Sequence, residues 1–162
     1  TITKPSDAFA SENLMPAQRS ASLFDAPHGE ACAVPAGTGK AWADAARSAG
    51  VTAVVIDTGA VATKDALLST LGKALRFPDY FRRNWDSFEE CLSDLSWIEG
   101  KRVVVHMGPL DALSNADPAS VETLISIAQD AIATHGQHGR TLWVLIANTK
   151  PPAGLRERKT AR

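Results

Sequence analysis

The sequence predicts an α/β domain built on a small parallel sheet. Residues 51–57, 102–107 and 141–147 are continuously apolar and β-branched rather than alternating, the pattern of strands covered on both faces. Between them lie segments whose apolar residues recur at helical spacing. Strand–helix alternation of this kind implies parallel strands joined by right-handed crossovers. About three strands are expected, with room for a fourth from the N-terminal part.

Residues 1–29 have no periodicity and read as an irregular or disordered arm. A short strand fits 31–34. Pro35-Ala-Gly-Thr-Gly then makes a turn, and Thr38 is a candidate cap for a helix over 39–49. That helix would carry Trp42, Ala45, Ala46 and Ala49 on one side and stop at Gly50. After the strand at 51–57, Thr63 can cap a helix presenting Leu67, Leu68, Leu71, Ala74 and Leu75. Pro78 pushes the residue before it away from helical angles, so this helix ends near Arg76. Asn84 opens the next helix, where Trp85, Phe88, Leu92 and Leu95 form one apolar stripe. After the strand at 102–107, Asp117-Pro118 starts a helix with proline in its first turn. Val121, Leu124, Ile125, Ala128, Ala131 and Ile132 are its buried face, and Gly136 and Gly139 are expected to break it. The strand at 141–147 closes the series before Pro151-Pro152. The expected organisation is an arm at 1–29, a domain at 30–149 with its core at 51–149, and a basic tail at 150–162.

Composition limits the function. A chain of 162 residues with 44% hydrophobic residues can bury a core without disulfides or metal. Cys32 and Cys91 make no disulfide framework, so a reducing compartment is the default. Residues 1–7 lack the basic and apolar blocks of a signal peptide, and no apolar run could span a bilayer. A cytoplasmic protein is expected. Between 51 and 149 there are eight Lys or Arg against twelve Asp or Glu, whereas Lys150, Arg156, Arg158, Lys159 and Arg162 face only Glu157. An acidic body with a basic tail is a poor nucleic-acid binder. RNA binding through Arg82, Arg83 and the tail is disfavoured by the acids beside those arginines.

The helix after Asn84 carries chemistry of another kind. Asp86, Glu89 and Glu90 share its solvent side, opposite the apolar stripe, and Asp94 follows one turn on. Like charges at this spacing repel by about 0.2–0.5 kcal/mol per pair. The helix dipole accounts for Asp86 in the first turn, less well for Glu90, and not for Asp94. The loop before the helix adds Tyr80, a residue typical of protein-binding surfaces, while Phe77 and Phe81 are expected to plug the core. No cofactor and no metal site is expected. Gly37-Thr-Gly-Lys40 lacks the glycine and the Ser or Thr of a phosphate loop, since Val34 and Ala41 stand there. Cys91 with His106 could suggest a thiol hydrolase, but a cysteine beside an apolar stripe is more often buried structure. His28, His135 and His138 have no metal spacing and are expected in flexible segments.

Phe77-Pro-Asp-Tyr-Phe-x-x-Asn-Trp-Asp-Ser-Phe-Glu-Glu-Cys-Leu-x-Asp-Leu resembles the signature of the barstar family, inhibitors of barnase-type ribonucleases. The resemblance runs over about 51–148 and extends to the order of the elements. It implies a non-enzymatic protein whose acidic helix and preceding loop enter a nuclease active site, where they occupy the position of the RNA phosphate. Tyr80 matches the family's binding-loop aromatic, Asn84 the asparagine that opens the helix, and Asp86 the acid that follows. Glu90 stands where the family has an aspartate facing the phosphate-binding residues. Asp130 corresponds to an outlying acid on the later helix. Two departures matter. Arg82 and Arg83 replace small or acidic residues and dilute the negative field. Glu89 replaces an aromatic. The expected partner is a basic ribonuclease, barnase-like or another secreted or toxin enzyme, met through Tyr80, Asn84, Asp86, Glu89, Glu90 and Asp94. The alternative is a regulatory module that offers the same face to another basic protein.

Overall fold

The computed structural model describes residues 23–159. Four strands form the body of a parallel sheet: β1 (Ala31–Pro35), β2 (Thr52–Asp57), β3 (Arg102–Gly108) and β4 (Thr141–Asn148). A two-residue β5 (Arg156–Glu157) adds to β1, and the order across the sheet is β2-β3-β4-β1-β5. Five helices connect them: α1 (Gly39–Ser48), α2 (Lys64–Ala74), α3 (Trp85–Asp94), α4 (Asp111–Ala116) and α5 (Pro118–Gln137). The expected class is therefore present, with five strands rather than three or four.

Residue alternation along the strands splits the interior in two. Val103, Val105 and Met107 of β3 and Leu142, Val144 and Ile146 of β4 face a large core with Leu67, Leu68, Leu71, Phe88, Leu92, Leu124 and Ala128. Val104 of β3 and Trp143, Leu145 and Ala147 of β4 face a smaller core with Trp42, Ala46, Cys32 and Val34. Because helices cover both faces, β3 and β4 read as unbroken apolar runs. β2 departs from that expectation. It is an edge strand, and Val55 remains 49% exposed, so its β-branched run did not imply two-sided burial.

Other differences have local causes. Leu23 and Phe24, inside the expected irregular arm, are buried; the Phe24 ring stands edge-on to Trp143 and Trp42, with centroids at 5.0 and 6.1 Å. Residues 1–22 of the expected arm lie outside the described residues. Thr38 does not cap α1. Its hydroxyl donates to the Pro35 carbonyl at 2.7 Å and meets His106 Nε2 at 3.3 Å. Helix α5 runs through Gly136 to Gln137, and the chain turns only at Gly139, with φ 73°. His135 is accordingly a buried helical residue, not part of a flexible segment. Helix α4 is not among the expected elements; Asp111 at its start accepts from the Thr149 backbone at 3.2 Å. β5 falls in the expected basic tail, where Arg158 N–H donates to Ala33 O at 2.7 Å and its guanidinium meets Glu30 at 3.4 Å.

The caps at Thr63, Asn84 and Asp117 form as the residue types imply. Each side chain accepts from the backbone N–H three residues on, that of Ala66, Ser87 and Ser120 respectively.

Candidate functional site

The loop between α2 and α3 is pinned from below. After Leu75 the chain reverses at Arg76, φ 54°, and Phe77 N–H donates to Gly72 O at 2.9 Å. The Phe77 ring packs edge-on to Phe81 at 4.9 Å and to Trp97 at 6.0 Å. Trp97 in turn donates from Nε1 to Leu75 O at 2.8 Å. Gly72 is what admits Phe81: a Cβ there would stand 2.6 Å from its Cε2. Both phenylalanines thus plug the core as expected. Tyr80, between them, is left 45% exposed.

A second reversal at Arg83, φ 54°, turns the chain into α3. Asn84 Oδ1 accepts from Ser87 N–H at 2.8 Å, and Ser87 Oγ accepts from Arg82 N–H at 3.0 Å. Loop and first helical turn are therefore joined by two short bonds. Phe88, Cys91 and Leu92 point inward, and Trp85 is half-buried. Asp86 and Glu90 are exposed and Glu89 is half-exposed. Tyr80, Arg82, Asn84, Asp86, Ser87, Glu89 and Glu90 line one open depression of about 490 Å³.

Asp94 is placed differently from the other acids. It sits at the end of α3, where Tyr80 Oη donates to its Oδ2 at 3.4 Å and Ser96 N–H to its Oδ1 at 3.3 Å. Asp130 is exposed on α5. Among the described residues no cation lies within 4.0 Å of Asp86, Glu89, Glu90 or Asp94, so Arg82 and Arg83 do not neutralise them internally.

The far end of α3 shows what the sequence did not. The helix has no basic residue in its last turn, and its final carbonyls lack helical partners. Three consecutive ones are met from outside. His135 Nε2 bonds Leu92 O at 2.9 Å, and Arg140 bonds Asp94 O at 2.9 Å and Ser93 O at 3.4 Å. Leu95 then ends the helix in the left-handed region, φ 49°. No local spacing links 135 and 140 to 92–94, so neither residue could be identified beforehand.

Ionisation follows burial. Desolvation raises Cys91, partly offset by a hydrogen bond with Tyr80, and Tyr80 is itself raised by desolvation and then by Cys91, Asp94 and Glu90. Cys91 is thus a thiol, held among apolar residues. His106 is on the other side of the sheet, since Val105 and Met107, which flank it, face α3. The pair cannot act as a nucleophile and base. Thr38 already donates to Pro35, so its oxygen accepts from His106 Nε2; the remaining ring nitrogen, unpartnered and beside Gly39, is an acceptor and no help to an anion. Gly37-Thr-Gly-Lys40 is a turn leading into α1, and Lys40 pairs with Asp44 at 2.9 Å. Among the described residues no group of three or more His, Cys, Asp or Glu is placed to hold a metal ion, and no helix is long and apolar enough to cross a membrane.

What remains is an α/β domain that presents carboxylates on the open side of a helix, next to an exposed tyrosine. The family model described as Barstar (barnase inhibitor) matches residues 51–147, more than half of the chain. The chain belongs to the barstar family, whose members are inhibitors rather than enzymes. No curated protein matches it. Among solved structures, one titled as Drosophila ORC bound to GC-rich DNA and Cdc6 aligns at 11% identity and TM-score 0.40. It covers 91% of this chain and 55% of its own. Another, of Drosophila ORC bound to AT-rich DNA and Cdc6, aligns at 14% identity and TM-score 0.39, covering 91% and 54%. The chain thus spans about half the length of these chains, and similarity at this level bears on neither site nor partner.

Proposed function

We propose that this protein inhibits a ribonuclease by filling its active site with the acidic face of α3 and the loop before it. The observation that carries the reading is the shared depression, in which Asp86, Glu89 and Glu90 stand beside Tyr80 with no cation among the described residues paired to them. In a family of barnase inhibitors, such a face suits a cleft built to hold phosphates. Asp86 and Glu90 pair with the enzyme's Arg, Lys or His. Tyr80 packs at the centre, Asn84 sets the helix start, Glu89 widens the negative patch, and Asp94 holds the Tyr80 hydroxyl. Association is fast and salt-sensitive, because opposite fields steer the encounter. Barnase and barstar are themselves the well-known example of such steering.

The test is Asp86→Ala with Glu90→Ala, titrated against a barnase-type ribonuclease and read as loss of inhibition. Removing both acids leaves cations unpaired in the cleft, and binding should weaken by several kcal/mol, about 2–5 for each buried pair. Both side chains are exposed, so stability should stay within about 0.5 kcal/mol. Undiminished inhibition by the folded double variant rules this surface out.

A further inference from the structure

The two edges of the sheet are finished differently. β5 is two residues long, and both, Arg156 and Glu157, are charged. A short charged strand is a poor template for another chain. β2 bounds the other side with six residues, and among the described residues it has a strand neighbour, β3, on one side only. Its register with β3 runs unbroken from Thr52 to Asp57, so no bulge bends it away. It contains no proline and no charge before Asp57. Neither bulge, proline nor charge therefore guards Thr52–Ile56 against pairing with another strand. Two large apolar side chains are exposed among the described residues. Tyr80 belongs to the acidic surface, and Val55, 49% exposed, stands in the middle of this edge.

We infer that β2 pairs with β2 of a second copy, antiparallel about a two-fold axis normal to the sheet. Alternate N–H and C=O groups along the outward side of each strand then find partners. The side chains suit this arrangement. Val54 and Ile56 lie on the side of the larger core, and Val51 and Ala53 on the side of the smaller. A two-fold axis of this kind keeps like faces together. In the register centred on Val54, Ala53 of one copy lies opposite Val55 of the other, small against large, and Thr52 lies opposite Ile56. Asp57 falls opposite Val51, beside which Arg102 donates to Ala49 O at 2.8 Å. The one charge of the strand thus meets the neighbourhood of a cation and not its own counterpart. Joining β2 of one copy to β5 of the next would build an open filament, and the charges of β5 oppose it. The contact is small, so association is weak and depends on concentration. It uses neither α3 nor the loop before it, and stands apart from the inhibitory reading.

The experiment is sedimentation of the full chain between about 1 μM and 0.5 mM, with amide exchange measured at both ends of that range. The native chain should pass from monomer to dimer, and the outward amides of β2 should slow as it does. Val55→Lys places a cation in the pairing twice, once from each copy, and should raise the dissociation constant at least about tenfold. Val55→Thr keeps a β-branched residue and should raise it by less than about threefold. Thermal melts at the lowest concentration check that both variants fold like the native chain, and the exchange pattern of the native chain stands whether or not they do. A monomer throughout, a dimer indifferent to Val55→Lys, or slowed exchange at an element other than β2 overturns the inference. Outward β2 amides already slow in the monomer overturn it too, since another part of this chain then pairs with the edge. A monomer whose outward β2 amides stay fast assigns the edge to an extended segment of another protein instead of a second copy.

Discussion

Replacing Arg140 by glutamine removes the side chain that closes the end of the acidic helix. Arg140 lies outside α3, just before β4, and reaches back to Asp94 O at 2.9 Å and Ser93 O at 3.4 Å. The shorter bond has good geometry and is assisted by charge, which is worth about 1.5–3 kcal/mol in a protected setting. The longer one adds little at that distance. A cation at a helix C-terminus contributes about a further 0.3–1 kcal/mol. Ser93 and Asp94 are only half-buried, so water recovers part of what the freed carbonyls lose. The expected net loss is about 2 kcal/mol. Urea denaturation followed by fluorescence should show the midpoint lowered with the slope unchanged, since the surface exposed on unfolding is the same. Thermal unfolding should drop by roughly 5–8 °C in a domain of this size. Amide exchange should quicken first over the last turn of α3. Arg140→Lys keeps the charge but not the fork, and should recover less than half of the loss. A change below about 0.5 kcal/mol, or faster exchange spread evenly over the sheet, would refute the idea that this guanidinium holds the helix end.

Three further outcomes follow from burial. Phe24→Ala opens a cavity between Trp42 and Trp143 and should cost about 3–5 kcal/mol by chemical denaturation; a loss under about 1 kcal/mol means the segment before β1 is not part of the core. His106 and His135 are both lowered from 6.5, chiefly by desolvation. The unfolded chain therefore binds protons first, and stability should be complete above about pH 6.5 and fall as pH drops below it. Melts between about pH 7.5 and 5.5 should show this fall, flattened in a variant lacking both imidazoles. Cys32 is buried and raised to about 12, mainly by desolvation and then by Glu30, and Cys91 is buried with a raised pKa. Neither thiol should react with iodoacetamide at about pH 8 until the protein is unfolded, as mass spectrometry would record.

The legible parts of this protein were those whose cause is local. Unbroken apolar runs marked β3 and β4 because both faces of those strands are covered. Thr63, Asn84 and Asp117 announced three helix starts because a capping side chain and the N–H it accepts from lie within one turn. The Phe88–Leu92–Leu95 stripe fixed which way α3 faces, and so which way Asp86 and Glu90 face. Where tertiary neighbours decide, local signals mislead. Thr38 has a capping side chain, but Pro35 O and His106 claim its hydroxyl. Gly136 looks like a helix breaker, yet α5 continues through it.

By itself, then, the sequence determined the class of fold, the acidic face of α3 and the loop that presents Tyr80, since each depends on periodicity or on residues a few positions apart. Only the tertiary structure decided that β2 is an edge, that Phe24 completes the second core, and that β5 extends the sheet. It alone also brought His135 and Arg140 to the carbonyls of α3. Those arrangements join groups far apart along the chain, and no spacing encodes a contact that exists only once the sheet has brought its helices together.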